Sequence, residues 1–260
     1  MTTPEPTTPR RMQLGRVPHV RGLVLAAGAG RRMGGPKALV RKTAGAPTLV
    51  EEAITALLDG GCEGVTVVVG AAAAEVTDVI RHLGRDVDVV ECAEWDEGMG
   101  ATLRTGLASL TSATHEHAAP VSAALITLVD LPDVGAEVVA RLLASGPRPS
   151  PVHGGPPALA TRPDGPGKAH ETTSEEQAVG EEADEAARWR ATLSRAAYAG
   201  VPGHPVVIGR DHWDEVIASA VGDRGARSHF RAHAHGLVEC GDLASGRDAD
   251  RPEDLTPQGP

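Results

Sequence analysis

The sequence is poor in aromatic residues and in cysteine, and each shortage excludes a class of protein. Aromatic residues make up 2% of the 260 residues, so a core must be built mainly from Val, Leu, Ile and Ala. The three cysteines, Cys62, Cys92 and Cys240, lie far apart and form no Cys-x-x-Cys pair. This spacing argues against a disulfide framework and against a zinc knuckle, and it indicates a reducing compartment.

Long apolar runs and a basic charge excess are absent as well. No apolar segment approaches the roughly 18 residues of a membrane-spanning helix, and residues 1–20 carry Pro and Thr where a signal peptide would be apolar. We therefore expect a cytoplasmic protein without a membrane partner. The net charge is -10, and seven acidic residues fall between residues 171 and 185, so no nucleic-acid partner is expected.

Segments with strand-like and helix-like patterns alternate along most of the chain. Strands are expected at residues 21–26, 65–69, 87–91, 123–129, 192–198, 205–209 and 237–240. Helices are expected at residues 50–58, 73–83, 100–110 and 211–220. This alternation predicts a single α/β domain of Rossmann-like, three-layer type, with a mostly parallel mixed sheet that binds ligands at the carboxyl ends of its strands.

Changes in composition set the expected boundaries of this domain. Residues 1–20 and 256–260 are predicted to be tails, the first of them disordered, and residues 21–255 to form the domain. Within it, residues 146–190 are rich first in Pro and Gly and then in acidic side chains, which favours a disordered insertion. A solvated acidic helix over residues 171–190 is the alternative.

A glycine-rich segment directly after the first predicted strand is the most informative part of the sequence. Glycines at 28, 30 and 34 allow backbone N–H groups to approach an oxyanion, and Arg31, Arg32 and Lys37 supply positive charge beside them. Gly34 comes one residue too late for a dinucleotide-binding Gly-x-Gly-x-x-Gly, and no hydroxyl residue follows Lys37 as a Walker loop requires. A phosphate-binding loop is predicted, with an ordinary strand-to-helix turn as the alternative.

The same segment resembles the signature loop of the MobA-like nucleotidyltransferases, most closely the branch that contains molybdenum cofactor cytidylyltransferase. The resemblance spans about residues 21–255 and rests on Leu25-Ala26-Ala27-Gly28-Ala29-Gly30-Arg31-Arg32-Met33-Gly34 with Pro36-Lys37, on Glu97-Gly98-Met99-Gly100-Ala101-Thr102, on Val129-Asp130-Leu131-Pro132, on Pro202-Gly203-His204-Pro205, on Gly222-Asp223-Arg224-Gly225-Ala226-Arg227, and on Asp248-Ala249-Asp250-Arg251-Pro252-Glu253-Asp254-Leu255.

The resemblance implies a fold of the nucleotidyltransferase, glycosyltransferase-A-like type and a Mg²⁺-dependent reaction. In that reaction a nucleoside monophosphate passes from a triphosphate to a phosphorylated acceptor, and pyrophosphate leaves. Ala26-Ala27-Gly28 is similar to the cytidylyl-transferring branch, which favours CTP as donor and molybdopterin as acceptor, with a molybdoenzyme as a possible protein partner.

Carboxylates at two places in the sequence are candidate metal ligands. Asp130 follows a buried strand, where it either coordinates a divalent cation or caps the next helix. The resemblance favours the metal. Asp250 matches the family's second metal aspartate, but Arg251 stands where the family has Thr, and Asp248 lies two residues away, so the choice between Asp248 and Asp250 stays open.

Further site residues follow from the motifs. Nucleotide binding is assigned to Leu25, Ala26, Ala27, Gly28, Gly30, Arg32, Lys37, Gly70, Gly98, Gly100 and Thr102, and catalysis to Arg32, Lys37 and Asp130. The Gly98 to Thr102 segment is otherwise only a helix start. Acceptor binding is assigned to Gly203, His204 and Pro205, with a satisfied core histidine as the alternative for His204. Trp213 and Tyr198 are expected in the core or at its rim.

The spacing of His229, His233 and His235 is superficially that of metal ligands. Because no carboxylate or cysteine accompanies them on one helical face, a solvated segment is expected. Two functions compete with the cytidylyl transfer: a transferase that uses another triphosphate or acceptor, and a non-catalytic accessory protein of a molybdoenzyme. A nicotinamide-binding module is disfavoured by the position of Gly34.

Overall fold

The computed structural model describes residues 19–112, 120–146 and 174–255. In that part of the chain the strands are β1 (Val20–Leu25), β2 (Val65–Val69), β3 (Val87–Glu91), β4 (Ala123–Leu128), β5 (Leu193–Tyr198), β6 (Val201–Gly209) and β7 (Gly236–Glu239). The helices are α1 (Leu49–Asp59), α2 (Ala73–Arg81), α3 (Met99–Ser112), α4 (Ala136–Ala144), α5 (Ser174–Arg190), α6 (Trp213–Ser219) and α7 (Arg227–Ala232). None of these helices is both long enough and apolar enough to cross a bilayer.

All described strands join one sheet in the order β3-β2-β1-β4-β6-β5-β7. Strands β1, β2, β3 and β4 run parallel, and β6 is antiparallel to both β4 and β5, while β7 is parallel to β5. This confirms the predicted mostly parallel mixed sheet. Because β1 and β4 are neighbours in the centre, both of their faces need apolar cover.

Alternation along the central strands divides the core into two layers. In β1, Val20 and Val24 belong to the apolar cluster that also contains the buried faces of α1, α2 and α4. Leu23 and Leu25 point to the other cluster, which contains residues of α3, α6 and α7. Each of these side chains, when fully buried, contributes about 1.5–3 kcal/mol to the free energy of unfolding. The three-layer prediction is therefore confirmed.

Helix α1 shows how local sequence sets the helix limits. Thr48 and Glu51 form a capping box, in which each side chain accepts a hydrogen bond from the other residue's backbone N–H. The helix ends at Asp59 and Gly60 forms its C-cap, in agreement with the predicted 50–58 helix that Gly60-Gly61 ends.

The parallel pairing of β1 with β4 positions the site. Leu25 and Leu128, the last residues of these strands, are partners in the register. The loop that begins at Ala26 and the Val129-Asp130 segment therefore leave the sheet side by side, at its carboxyl edge. This is the edge at which open α/β sheets bind ligands.

The predicted disorder of residues 146–190 is wrong for residues 174–190, which form α5, so the acidic-helix alternative describes them better. The physical reason is Trp189, which is 2% exposed and belongs to the core cluster. Its ring packs so closely on Gly146 that a Cβ there would lie 2.8 Å from it. Residues 147–173 and the predicted tails at 1–18 and 256–260 lie outside the described residues, and β1 begins at Val20, within the predicted first tail.

Candidate nucleotide site

The glycine-rich loop after β1 folds back on itself at Gly30. Gly30 has φ 56°, and its carbonyl accepts a hydrogen bond from Met33 N at 2.8 Å. A Cβ at this position would lie 2.0 Å from the carbonyl oxygen of Gly35 and 2.8 Å from Lys37 N. Glycine is therefore required at residue 30. The tight turn returns the chain toward the sheet and places Lys37 at the carboxyl edge of β1.

Lys37 joins two carboxylates that come from distant parts of the chain. Its Nζ donates to Asp130 Oδ2 at 2.7 Å and to Asp250 Oδ1 at 2.7 Å. Burial lowers the pKa of Lys37, but the hydrogen bonds and charges of Asp130 and Asp250 outweigh it, so the pKa lies above its ordinary value. Lys37 is therefore a fixed positive charge at this site.

Asp250 is held by two cations. Arg32 donates to its other oxygen, Oδ2, at 3.0 Å, although the Arg32 side chain is 74% exposed. Hydrogen bonds and charge from Lys37, and then the charge of Arg32, lower the pKa of Asp250. Arg31, like Arg32, is exposed. Because of its exposure, the Arg32 pair adds little stability and leaves the guanidinium accessible to a ligand.

Backbone hydrogen bonds place the chain around Asp250 against Asp130. Ala249 N donates to the Asp130 carbonyl at 2.7 Å, and Asp254 Oδ2 accepts from the backbone N–H groups of Asp250 and Arg251. The alternative role of Asp130 as a helix cap is wrong, since α4 begins at Ala136 and its N-cap is Gly135.

The carboxylate cluster can accept a divalent cation. Asp130 Oδ1 is buried and has no hydrogen-bond partner among the described residues, whereas its Oδ2 is bound by Lys37. Burial, together with the negative charges of Asp130 and Asp250, raises the pKa of Asp248. Three carboxylates thus lie close enough to repel one another, and an unpartnered oxygen is available. Oxygen ligands of this kind suit Mg²⁺ or Mn²⁺.

A cavity of about 250 Å³ opens beside this cluster at the carboxyl edge of β1 and β4. It is lined by Leu25, Ala27, Gly28, Gly30, Lys37, Trp95, Gly98, Met99, Thr102, Leu128, Val129, Asp130 and Asp223. Eight of the predicted site residues are in this set: Leu25, Ala27, Gly28, Gly30, Lys37, Gly98, Thr102 and Asp130. The structure therefore brings together the residues predicted from three separate sequence motifs.

Four predicted nucleotide-binding residues lie outside the cavity lining. Ala26 is buried in the core cluster, and Arg32 reaches Asp250 from the exposed side of the loop. A Cβ added at Gly70 would lie 2.5 Å from Trp95 Cβ. A Cβ added at Gly100 would lie 2.9 Å from the backbone of Ala220. These two glycines allow close packing around the cavity, and direct contact with a nucleotide is not indicated by their positions.

Trp95, Met99 and Asp223 line the cavity but were missed as site residues in the sequence interpretation. Trp95 opens the short 3₁₀ helix that precedes Gly98, and Asp223 lies in another, Gly222–Arg224. Gly98 has φ 108°, and a Cβ there would lie 2.5 Å from Asp223 Oδ1. The Gly-Asp-x-Gly-Ala-Arg motif at 222–227 was the available signal for Asp223, but a motif alone does not tell which side chain faces the cavity.

His204 lies outside the cavity lining, on β6. Burial lowers its pKa to about 4, and the charges of Arg195 and Arg227 act in the same direction. The charge of Arg227 also partly opposes the rise in the pKa of Asp248, so this guanidinium acts on both His204 and the carboxylate cluster. Arg195 donates to the carbonyl of Gly203, and the Tyr198 hydroxyl to that of His204 at 2.6 Å. His204 is therefore a neutral imidazole at pH 7, and two arginines lie close enough for their charges to lower its pKa.

Trp213 and Tyr198 are buried, as expected, whereas the histidine-rich segment differs from its prediction. His229 is 2% exposed, and its ring meets Glu215 on the neighbouring helix α6. A solvated segment was expected because no carboxylate shares one helical face with these histidines. For His229 that expectation is wrong, because the carboxylate comes from a different helix, whereas His233 and His235 are partly exposed.

Comparisons with known proteins show what this chain is similar to. The model of a family described as MobA-like NTP transferase domain matches residues 22–237. A relative described as nicotine blue oxidoreductase, from Paenarthrobacter nicotinovorans, is 30% identical over 249 residues, which are 92% of this chain and 96% of the relative.

Solved structures share the fold. A nucleotidyl transferase from Methanothermobacter has a TM-score of 0.60 at 20% identity and covers 90% of this chain and 93% of its own. Molybdopterin-guanine dinucleotide biosynthesis protein A from Archaeoglobus fulgidus has a TM-score of 0.51 at 14% identity and covers 90% and 94%, respectively.

Proposed function

The chain belongs to the MobA-like NTP transferase family, and on this premise we propose that it transfers CMP from CTP to a phosphorylated acceptor, molybdopterin or molybdenum cofactor. The observation that carries the proposal is the meeting of Lys37, Asp130 and Asp250 beside a cavity lined by the glycine-rich loop. We place the reaction in the cytoplasm, where the three cysteines, all buried and free, would stay reduced.

The proposed reaction needs no protein nucleophile. An oxygen of the acceptor phosphate bonds to the α-phosphorus, and the bond from that phosphorus to the bridging oxygen of the β-phosphate breaks. Pyrophosphate leaves with the electron pair. Lys37 and Arg32 stabilise the negative charge on the phosphates, and the N–H groups near Gly28 and Gly30 orient them.

Asp130 and a second aspartate would hold the divalent cation. The buried, unpartnered Oδ1 of Asp130 and the mutual repulsion within the cluster fit such an ion. When bound, Mg²⁺ would neutralise phosphate charge during the displacement. Asp250 is our choice for the second ligand, on the family motif, and Asp248 is its rival. Metal titrations of Asp250→Asn and Asp248→Asn decide between them, because only loss of the true ligand weakens metal binding strongly.

The base and the acceptor are assigned by separate features. Ala26-Ala27-Gly28 supports cytidine, by its similarity to the cytidylyl-transferring branch. His204, with Arg195 and Arg227 close enough to affect its pKa, supports an anionic acceptor on that side of the carboxylate cluster. The acceptor would thereby approach the α-phosphate from β6, opposite the glycine-rich loop.

A pyrophosphate-release assay tests the proposal. The full chain is incubated with Mg²⁺, with CTP, GTP or ATP, and with or without molybdenum cofactor. We expect pyrophosphate only when an acceptor is present, and fastest with CTP. Faster release with GTP would show that the donor is GTP and that the proposed cytidine base is wrong. Binding of CTP without turnover on any phosphorylated acceptor would overturn the transferase assignment and favour an accessory protein.

Oxidoreduction is a second candidate function, favoured by one specific observation. The relative that is 30% identical over 92% of this chain is described as an oxidoreductase of nicotine blue. The test is to incubate the chain with reduced nicotinamide cofactors and that dye, and to follow both absorbances. Enzyme-dependent oxidation of the cofactor would support this function, whereas pyrophosphate release with no such oxidation would support the transferase.

A further inference from the structure

Two helices that follow β6 bring three metal-ligand side chains together, away from the nucleotide cavity. Glu215 lies on α6, His229 lies on α7, and His233 directly follows α7. Their ligand atoms all lie within 4.8 Å of one another. His233 Nε2 is 3.3 Å and His229 Nδ1 is 3.7 Å from Glu215 Oε2. In a tetrahedral zinc site, neighbouring ligand atoms are about 3.4 Å apart, since each bond is about 2.0–2.2 Å long.

Hydrogen bonds on the far side of each imidazole determine which nitrogen carries its proton. A backbone carbonyl can only accept, so His212 Nε2 donates to the Ala191 carbonyl at 3.3 Å. In the neutral ring, His212 Nδ1 is then bare and accepts from His229 Nε2 at 3.0 Å. His229 Nδ1 is consequently a bare nitrogen, and it is buried with no hydrogen-bond partner among the described residues.

The same reasoning applies to His233. Its Nδ1 donates to the carbonyl oxygen of His229 at 3.0 Å, so its Nε2 is bare in the neutral ring and faces the Glu215 carboxylate. Two bare imidazole nitrogens and a carboxylate oxygen therefore lie within 4.8 Å of one another. Three acceptors arranged in this way repel one another unless a cation lies between them. Outer hydrogen bonds that fix the tautomer of each imidazole are also typical of metal-binding histidines.

We propose that Glu215, His229 and His233 bind one Zn²⁺ ion, with His212 as the residue that orients His229. Imidazole and carboxylate ligands in this number suit Zn²⁺ better than Mg²⁺, which prefers oxygen ligands. Burial and the neighbouring His233 and His212 lower the pKa of His229, which agrees with a neutral ligand. The fourth coordination position is open to water, because Glu215 and His233 are partly exposed.

The ion would link α6 to α7 and so restrain the segment between them. That segment contains the 3₁₀ helix Gly222–Arg224, whose Asp223 lines the nucleotide cavity. Helix α7 begins with Arg227, which acts on Asp248 and His204. The zinc ion is therefore assigned a structural role, distinct from that of the cation held by Asp130, and its presence does not depend on the proposed transfer reaction.

Zinc binding by the full chain tests this site. After removal of metal with a chelator, the chain is titrated with Zn²⁺ in excess Mg²⁺ by calorimetry, and Co²⁺ is added separately to record its visible spectrum. We expect one Zn²⁺ per chain, an intense tetrahedral Co²⁺ spectrum, and a higher melting temperature with Zn²⁺. Glu215→Gln and His233→Ala change partly exposed side chains, so both variants should fold, and each should weaken zinc binding at least about 10-fold.

His82→Ala is the matched control, because it removes an exposed imidazole from the end of α2, outside the cluster. It should bind zinc like the unchanged chain. Equal zinc affinity in the unchanged chain and in a Glu215→Gln/His233→Ala double variant would overturn the site. So would a failure of the unchanged chain to bind Zn²⁺.

Discussion

Lys37 and Asp130 lie 93 positions apart in the sequence, and their side chains meet at 2.7 Å where β1 and β4 end. The two strands are neighbours in the sheet, and the turn at Gly30 returns Lys37 to their shared edge. Lys37 binds one oxygen of Asp130, and the other oxygen is buried with no hydrogen-bond partner among the described residues. This division of one carboxylate between an ammonium group and a metal is central to the proposed chemistry.

The first prediction concerns Asp130→Asn. The amide still accepts a hydrogen bond from Lys37 through its oxygen, so the fold should be kept, but the metal loses a negatively charged ligand. We expect metal-dependent pyrophosphate release to fall at least about 100-fold. The measurement is steady-state release with CTP and acceptor over a range of Mg²⁺ concentrations, together with the melting temperature.

Asp78→Asn is the control for this prediction. Asp78 is exposed on α2, where it pairs with Arg81, and it is not part of the cavity lining. Asp78→Asn therefore makes the same change of charge outside the cavity. It should leave turnover unchanged. Normal turnover in Asp130→Asn would show that this aspartate takes no part in catalysis.

A second prediction tests whether nucleotide phosphates approach the backbone of the glycine-rich loop at Gly28. An added Cβ at Gly28 meets nothing within 4 Å, and the same holds at Gly35, so both Gly28→Ala and Gly35→Ala should fold normally. Of these two glycines, Gly28 lines the cavity and Gly35 does not. If nucleotide phosphates approach its backbone, the methyl group should raise KM for the triphosphate at least about 10-fold. Steady-state kinetics with both variants measure this, and equal KM values would place the nucleotide elsewhere.

A third prediction uses Trp95 as a reporter. Trp95 lines the cavity, whereas Trp189 and Trp213 are 2% and 1% exposed and belong to the core. We expect CTP binding to change the tryptophan fluorescence in a saturable manner. In Trp95→Phe this change should disappear while the melting temperature stays close to that of the unchanged chain. A persistent signal in that variant would mean that the nucleotide does not enter this cavity.

Local sequence patterns predicted most of the sheet, because the signals were local. The β-branched run at Val65–Val69 is bounded by glycines, and the structure has a buried strand with those limits. Asp130 was assigned to the site because it follows a buried strand, and Lys37 because it matches a position of the signature loop that the sequence resembles. The parallel sheet places β1 beside β4, and the turn at Gly30 returns Lys37 to their shared edge.

Tertiary contacts account for the features that the sequence patterns did not predict. Acidic composition favoured disorder for the chain before β5, but one buried tryptophan, Trp189, anchors α5 on the core. Trp95 faces the cavity because Gly70 allows its side chain to pack closely. Glu215 meets His229 across two helices, and a search along one helical face cannot find such a pair. In each case the decisive partner is remote in sequence.

The last prediction is a pH dependence of stability that comes from His204. Burial, followed by the charges of Arg195 and Arg227, lowers its pKa in the folded chain to about 4, against about 6.5 when unfolded. Between these values the unfolded chain binds more protons, so acid favours unfolding. The stability linked to neutral His204 is therefore present above about pH 6.5 and is lost as the pH falls toward 4.

Urea unfolding at pH 7 and pH 5 measures this effect. For His204 alone, the free energy of unfolding should fall by about 2 kcal/mol over this interval. Other acid-sensitive groups also lower the free energy of unfolding, so the unchanged chain is compared with His204→Gln. In that variant the fall in the free energy of unfolding should be smaller by about that amount. His82→Gln removes an exposed histidine, and its free energy of unfolding should fall by as much as that of the unchanged chain. The free energy of unfolding of His204→Gln could instead fall by as much as that of the unchanged chain. In that case the imidazole of His204 is accessible to protons in the folded chain, and its role as a neutral group beside the acceptor is wrong.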